Sequence, residues 1–393
     1  MQLIDAKMNN DTITVYLKGH IDSSNSPAVE EEIRKVLSEN TYAHLVLDLE
    51  ALQYISSAGL RIILRLKKEN ADLKIINVSS EVYEVFDMTG FTEMMDISKG
   101  YRHISIDGCE VIGQGSNGKV YRIDRDTIVK VYRDPDSLDD IKRERELART
   151  ALILGIPTAI PYDVVKVDGS YGSVFELLNA TSFAKLIDDD PSKLDEVVDM
   201  SVDLLKKIHG TLVHEGDMPP MKTTAMGWVN YLKDYLPKEQ FDKLYALFDA
   251  IPEDQHMLHG DYHLKNIMLQ DGEVLLIDMD TLCVGHPVFE FAAIFNAYKG
   301  FSAADPGVSK RFLGMDHKLC EQLWEKTLNR YFADKTEEER REIEKKAEII
   351  GFARVLRRTI KREGLDNPEA QPLIQVCRKK LEELLPQVDS LTY

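Results

Sequence analysis

The chain has 393 residues, 44% hydrophobic and 30% charged, with a formal net charge of −18 and a pI near 5.1. That length exceeds one ordinary core, so two or three domains are expected, of soluble globular composition. The acidic balance argues against non-specific nucleic-acid binding and against docking on an anionic membrane, and is compatible with a cationic partner or substrate. In chain order, residues 11–17 (DTITVYL) alternate like a strand. Gly19 to Asp22 then leads into Ser23-Ser24-Asn25-Ser26-Pro27, a cap-rich start for a helix running to about Ser38. His44–Leu49 reads as a buried strand, and a helix begins at Ser56-Ser57-Ala58-Gly59-Leu60. Lys74–Val78 is a further strand and Ser80–Met88 a further helix. This alternation predicts an α/β sheet with helices packed on one side.

These residues resemble a STAS domain, the fold of bacterial anti-sigma-factor antagonists, over residues 1–100. The matching pieces are Gly19-x-x-Asp22, Asp48-Leu49 at a strand end, and Ile55 to Leu60 at a helix N-terminus. The resemblance implies that Ser57 is a phosphorylation site and a partner contact, so a protein partner is expected here. A phosphate there would add nearly two negative charges at a helix N-terminus, near Asp22. A plain capping role for Ser56 and Ser57 stands beside that reading. Ser56 occupies a position where many antagonists carry Asp.

No Gly/Ser/Pro linker separates this region from the next. Gly113-x-Gly115-x-x-Gly118 lies between two strands. A strand rather than a helix follows it, which suits a kinase phosphate-covering loop better than a dinucleotide turn. Lys130 interrupts the apolar strand Thr127–Tyr132, and a lysine there needs a partner for its ammonium. The helix Leu138–Leu154 offers Glu144 and Glu146. Glu144 is preferred because Ile141, Leu147, Ala148 and Ala151 share its face, whereas Glu146 has charged neighbours. Two strands follow at Asp163–Val167 and Ser173–Leu178, and Ser182–Phe248 reads as helical, with one amphipathic helix over Tyr231–Leu247.

The stretch His259–Asp280 (HGDYHLKNIMLQDGEVLLIDMD) reads as a loop and a β-hairpin turning at Asp271-Gly272. It delivers Asp261, Asn266 and Asp278 to the ends of a rigid element. Phosphoryl transfer needs one carboxylate to orient a hydroxyl and accept its proton, and two oxygen ligands to hold Mg²⁺ against nucleotide phosphates. Asp261 suits the first role, and Asn266 and Asp278 the second. Here the chain resembles the aminoglycoside-phosphotransferase and choline-kinase branch of the protein-kinase-like fold. The resemblance implies that Lys130 holds phosphates and that Glu176 to Asn179 form the hinge facing a purine. It also implies that His259 positions the loop backbone and that Glu290 braces the catalytic loop. Gly285 to Ala292 is similar to the family's G-[DN]-P-x-x-D segment, with His286 and Glu290 as departures. From Phe312 onward the chain reads as helical and charged. Arg354, Arg357, Arg358 and Lys361 lie where this branch builds its acceptor pocket.

The expected architecture is an α/β STAS-like domain (1–100) followed by an α+β bilobal protein-kinase-like domain, with its N-lobe over 101–180 and its helical C-lobe over 181–393. The expected activity is ATP- and Mg²⁺-dependent phosphorylation of a small-molecule hydroxyl. Two alternatives stay open: a signalling kinase acting on Ser57 in cis or in trans, and a non-catalytic nucleotide-binding scaffold in an anti-sigma partner-switching system. Cys109, Cys283, Cys320 and Cys377 form no C-x-x-C pair, which points to reduced thiols and a cytoplasmic location. No run approaches the roughly 20 apolar residues of a membrane helix, and no signal peptide is expected.

Overall fold

The computed structural model describes residues 3–114, 118–134 and 137–393. Its residues group into two compact units: residues up to Ser105 with Val164–Gly169, and Ile106–Asp163 with Ser170–Tyr393.

In the first unit the strands are β1 (Ile4–Asn9), β2 (Thr12–Leu17), β3 (Gly19–Ile21), β4 (His44–Asp48), β5 (Leu52–Ile55), β6 (Lys74–Val78) and β7 (Asp96–Lys99). The helices are α1 (Ser26–Ser38), α2 (Ser57–Glu69), α3 (Ser80–Met88) and the short α4 (Phe91–Met94). The main sheet runs β1-β2-β4-β6-β7. Its strands are parallel except at the β1/β2 hairpin. The alternating residues Ile13, Val15 and Leu17 of β2 are buried with Leu45, Leu47 and Ile75, as a period of two requires when one face meets helices. β1 was not anticipated: its burial pattern holds only one fully buried residue, Ile4, so it carries little hydrophobic signal. β3 and β5 pair in parallel, with Ile21 opposite Ile55. That pairing sets Asp22 and Ser56 at the ends of adjacent strands. Ser56 caps α2 by accepting from the Gly59 amide at 3.5 Å, and Ser57 is the exposed first residue of the helix.

A second five-stranded sheet has the order β11-β12-β10-β9-β8 and belongs to the second unit apart from residues 164–167 of β11. Its strands are β8 (Glu110–Gln114), β9 (Gly118–Arg122), β10 (Thr127–Tyr132), β11 (Pro161–Val167) and β12 (Ser170–Glu176), with α5 (Leu138–Ile153) between β10 and β11. Helices dominate thereafter: α6 (Phe183–Asp189) after a two-residue strand β13 (Thr181–Ser182), α7 (Leu194–His209), α8 (Met221–Tyr231) and α9 (Lys238–Asp249). The single helix expected over Tyr231–Leu247 is instead broken, because Pro237 cannot continue a helix and α9 restarts behind it. Then come β14 (Met257–Leu258), the hairpin β15 (Ile267–Gln270) and β16 (Glu273–Leu276), β17 (Cys283–Val284) and α10 (Val288–Phe295). α10 runs into a π-helical turn at Asn296–Gly300. The chain ends in α11 (Gly307–Leu313), α12 (His317–Tyr331), α13 (Glu337–Glu363) and α14 (Gln371–Leu384). The hairpin turns on Asp271 and Gly272, both at positive φ (51° and 86°), the backbone a two-residue turn between right-twisted strands demands. α13 starts with a reciprocal capping box, Thr336 with Glu339. Its Ile349, Ile350, Ala353, Leu356 and Ile360 are buried in the helical core.

The first unit's tightest approach is at Gly59, where an added Cβ would lie 2.6 Å from Ile55 Cγ1 and 2.9 Å from Ile21 Cγ2. Gly59→Ala is therefore expected to destabilise that unit by about 1–3 kcal/mol. Urea denaturation of the full chain should show its transition moving to lower urea; an unmoved transition would contradict this packing.

Candidate active site

The loop that carries Asp261 is held by a carboxylate from α10. Glu290 is fully buried. Its carboxylate accepts the amide of His259 and, at 3.0 Å, the amide of Gly260. The His259 ring closes the loop from the other side. Its Nδ1 accepts the Asp261 amide at 3.3 Å, which leaves Nε2–H to donate to the Ile277 carbonyl at 3.2 Å. Thr281 Oγ1 donates to the His259 carbonyl at 2.7 Å. Gly260 sits at φ +80°, and a Cβ there would lie 2.6 Å from the Thr281 carbonyl oxygen, so only glycine fits.

Asp261 is partly exposed, with its Oδ2 3.6 Å from His263 Nε2. Burial alone would raise its carboxyl, but the neighbouring His263, with the charges of His259 and Arg354, holds it down at about 2. The carboxylate is thus the standing form at neutral pH. Asn266 Nδ2 donates to the Asp261 carbonyl at 3.0 Å, which leaves the amide oxygen for a ligand. Asp278 lies just past β16 at φ +64°. Its Oδ1 is 2.9 Å from Lys130 Nζ.

Lys130 extends from β10, and its Nζ also lies 2.9 Å from Glu144 Oε1 on α5. Glu144 is 3% exposed and Glu146 faces outward. Burial would depress the Lys130 ammonium, but Glu144 and Asp278 outweigh it and raise its pKa. Tyr132, two residues along the same strand face, donates its hydroxyl to Glu144. Burial and the Glu144 charge push that phenol up. Asp280 is pushed up to about 7 by burial and the neighbouring Asp278, against the pull of Lys130.

A cavity of about 370 Å³ is lined by Gly113, Gly118, Lys130, Glu144, Glu176, Leu178, Asn266 and Asp278, with apolar walls from Ile112, Val120, Phe175, Met268 and Ile277; Asp261, Tyr132 and Asp280 are not among its lining residues. Glu176 lies where β12 ends, and burial raises its carboxyl. Gly115 lies outside the described residues. Gly118 has a packing reason as well as a place on the cavity: a Cβ would fall 2.1 Å from the Val131 carbonyl oxygen. Ser57 belongs to the other unit. Sequence reasoning did not single out Tyr132 or His263. Both stand two residues from a chosen residue, Lys130 and Asp261, and that spacing was the available signal.

Residues 108–344, more than half of the chain, match a family model described as the phosphotransferase enzyme family. The chain belongs to that family. Residues 4–104 match the STAS domain model. This phosphotransferase therefore carries an N-terminal STAS domain, and its relatives there are anti-sigma antagonists. The anti-sigma-B factor antagonist of Bacillus subtilis is 30% identical over 99 residues, spanning 24% of this chain and 89% of that protein. The putative antagonist BtrV of Bordetella bronchiseptica is 33% identical over 86 residues, 21% of this chain and 73% of that protein. In fold, the phosphotransferase is similar to a thermostable mutant of aminoglycoside phosphotransferase APH(4)-Ia. The apo form is 13% identical with a TM-score of 0.50, over 71% of this chain and 97% of that one. A ternary complex of that enzyme with AMP-PNP and hygromycin B gives 13% and 0.51, over 70% of this chain and 93% of that one.

Replacing Glu290 by Ala strands two buried amides without an acceptor. We expect a loss of roughly 2–4 kcal/mol and faster hydrogen exchange at the amides of His259 and Gly260. Unchanged exchange there would refute the bracing role.

Proposed function

We propose that this phosphotransferase moves the γ-phosphoryl group of ATP, with Mg²⁺, to a hydroxyl of a small molecule, and that the site residues act as follows. Asp261 orients the acceptor hydroxyl and takes up its proton; its depressed pKa keeps it in the base form, and His259 and Glu290 hold its loop. Lys130 holds the nucleotide phosphates while Glu144 holds Lys130. Gly113 of β8 and Gly118 of β9 cover the phosphates, and the end of β12 near Glu176 meets the base. The observation that carries this reading is the convergence of Lys130, Asn266, Asp278 and an apolar cavity at one end of the β15/β16 hairpin. In the APH(4)-Ia ternary complex that shares this fold, the nucleotide analogue is AMP-PNP.

The residues present fit a magnesium ion. Among the described residues no cluster of three His, Cys, Asp or Glu side chains could hold a metal. The free oxygens of Asn266 and Asp278 are hard donors of the kind that share Mg²⁺ with substrate phosphates. Asp280 is raised first by burial and then by the charge of Asp278, and a divalent cation would offset the second of these. When bound, that ion neutralises charge on the phosphate oxygens. Lys130 would release Asp278 to it and keep Glu144.

The STAS domain would dock a protein partner, with Ser57 as its phosphorylated switch. Its exposed position at the first turn of α2 favours that second reading. All four cysteines are free thiols, as suits a reducing cytoplasm.

Incubating the full chain with γ-labelled ATP, Mg²⁺ and a panel of hydroxylated small molecules tests the main reading. Asp261→Asn should reduce transfer about 10²–10⁴-fold with nucleotide affinity retained. Transfer that persists at the wild-type rate would sink the assignment. Label on Ser57 lost in Asp261→Asn would support the second reading. For the metal site, Asp278→Asn should raise the Mg²⁺ concentration for half-maximal rate by about tenfold or more, the effect of losing roughly 1.4 kcal/mol of binding. An unshifted requirement would place the metal elsewhere.

A further inference from the structure

The helix that passes beneath the Asp261 loop carries arginines at i, i+3 and i+4: Arg354, Arg357 and Arg358 of α13. Each guanidinium lies over an aromatic ring. Arg354 is 5.2 Å from the Trp228 centroid, Arg357 5.7 Å from Tyr231, and Arg358 5.0 Å from Phe301. Stacking of this kind fixes the guanidinium plane in advance of any ligand. The three are joined to the catalytic loop by Arg354, whose Nη1 donates to the Gly260 carbonyl at 3.3 Å.

The donors of this cluster are largely unspent. Among the described residues, no carboxylate lies within ion-pair distance of any of the three, in contrast to Arg330, which pairs with Asp199 and Asp203. The Nε of Arg357 is buried with no acceptor at all. A guanidinium has five N–H donors, and a buried donor without an acceptor is costly. Burial and mutual repulsion act on the group. Arg354 is pushed down by burial against the pull of Asp261 and Glu290, with Arg357 opposing. Arg358 is pushed down by burial, Arg362 and Arg354, against Asp261 and Glu363. Glu290 already spends its oxygens on the loop amides. Asp261 is therefore the principal acid facing the cluster. In the function proposed above it is committed to the hydroxyl.

We propose that Arg354, Arg357 and Arg358 form the acceptor-anchoring side of the site, and that the acceptor is a hydroxylated anion bearing a carboxylate or phosphate, not a polycationic aminoglycoside. This rests on the phosphotransfer reading of Asp261 and adds the chemical class of its substrate. Guanidinium forks match carboxylate and phosphate oxygens in pairs. The same charges repel an ammonium, so the cluster selects by exclusion as well as by attraction.

Two matched series test it on the full chain with ATP and Mg²⁺. They are D-gluconate, D-sorbitol and N-methyl-D-glucamine, and D-glycerate, glycerol and 3-amino-1,2-propanediol. Each series keeps the polyol chain and changes one terminal group, from carboxylate to hydroxymethyl to an aminomethyl group, so the neutral member carries one hydroxyl more than its charged partners. Binding is followed by ligand-observed NMR with AMP-PNP saturating the nucleotide site, and transfer by ATP consumption. The anions should bind at least tenfold better than their neutral and cationic partners. Arg357→Gln and Arg358→Gln should each erase most of that preference without changing AMP-PNP affinity, and Arg358→Lys should keep part of it. Equal or better binding of the neutral or cationic members, no binding by any of the six, or a preference indifferent to both substitutions would overturn the proposal. Arginine-dependent anion binding with no phosphate transferred to any acceptor would leave the anion site standing and remove the phosphotransfer reading. Transfer to a cation, indifferent to the arginines, would do the reverse.

Discussion

The second unit depends on where one ammonium group rests. Lys130 leaves an otherwise apolar strand and must find negative partners or pay for burial. It finds two, Glu144 from α5 and Asp278 from the end of the β15/β16 hairpin, each at 2.9 Å. A strand, the helix that follows it and a hairpin far along the chain are thereby brought to a common point. Tyr132 adds its hydroxyl to the same glutamate, so the buried end of the pair is satisfied. The Asp278 end is the looser one: that side chain is 42% exposed, against 3% for Glu144. The asymmetry lets Lys130 exchange one partner while keeping the other.

Much of this was legible in the sequence, because it rests on short-range rules. The period-two burial of β2 and the Asp271-Gly272 turn follow from local pattern. So does the inward face of α5 on which Glu144 sits among Ile141, Leu147, Ala148 and Ala151. What was not legible is tertiary. β1 shows no apolar alternation because one of its six residues is fully buried. The break before α9 was missed because the apolar period continues across Pro237 while the backbone cannot. The π-helical turn after α10 has no local signature, and Gly300 and Gly351 meet there around Phe295 and Asn296 in contacts that only the folded chain reveals. The glycines of the G-x-G-x-x-G segment point to phosphate in the sequence, yet Gly118 is also required by the closeness of β10.

Charge is distributed against the overall balance. The chain is strongly acidic as a whole, but around Asp261 two opposite fields meet. On one side stand Asp278, Asp280 and Glu144, where burial, with the charge of Asp278, pushes Asp280 toward neutrality. On the other stand the guanidiniums of α13. A single carboxylate at the boundary of such fields keeps its proton off across the physiological range, and net charge alone conveys nothing of that local polarity.

The construction of α13 has a further consequence. One side of the helix is core: Ile349, Ile350, Ala353, Leu356 and Ile360 are buried and contribute to holding the helical region together. The arginine side makes no ion pair within the described chain; its contacts are the rings of Trp228, Tyr231 and Phe301 and the Gly260 carbonyl. In the acceptor-anchoring role proposed above, core-facing and ligand-facing positions interleave along one element. Position 358, the exposed one of the three, could change in a lineage at less cost in folding than 354, which lies over Trp228 and bonds the Gly260 carbonyl. A helix built this way is a natural place for a phosphotransferase scaffold to diversify.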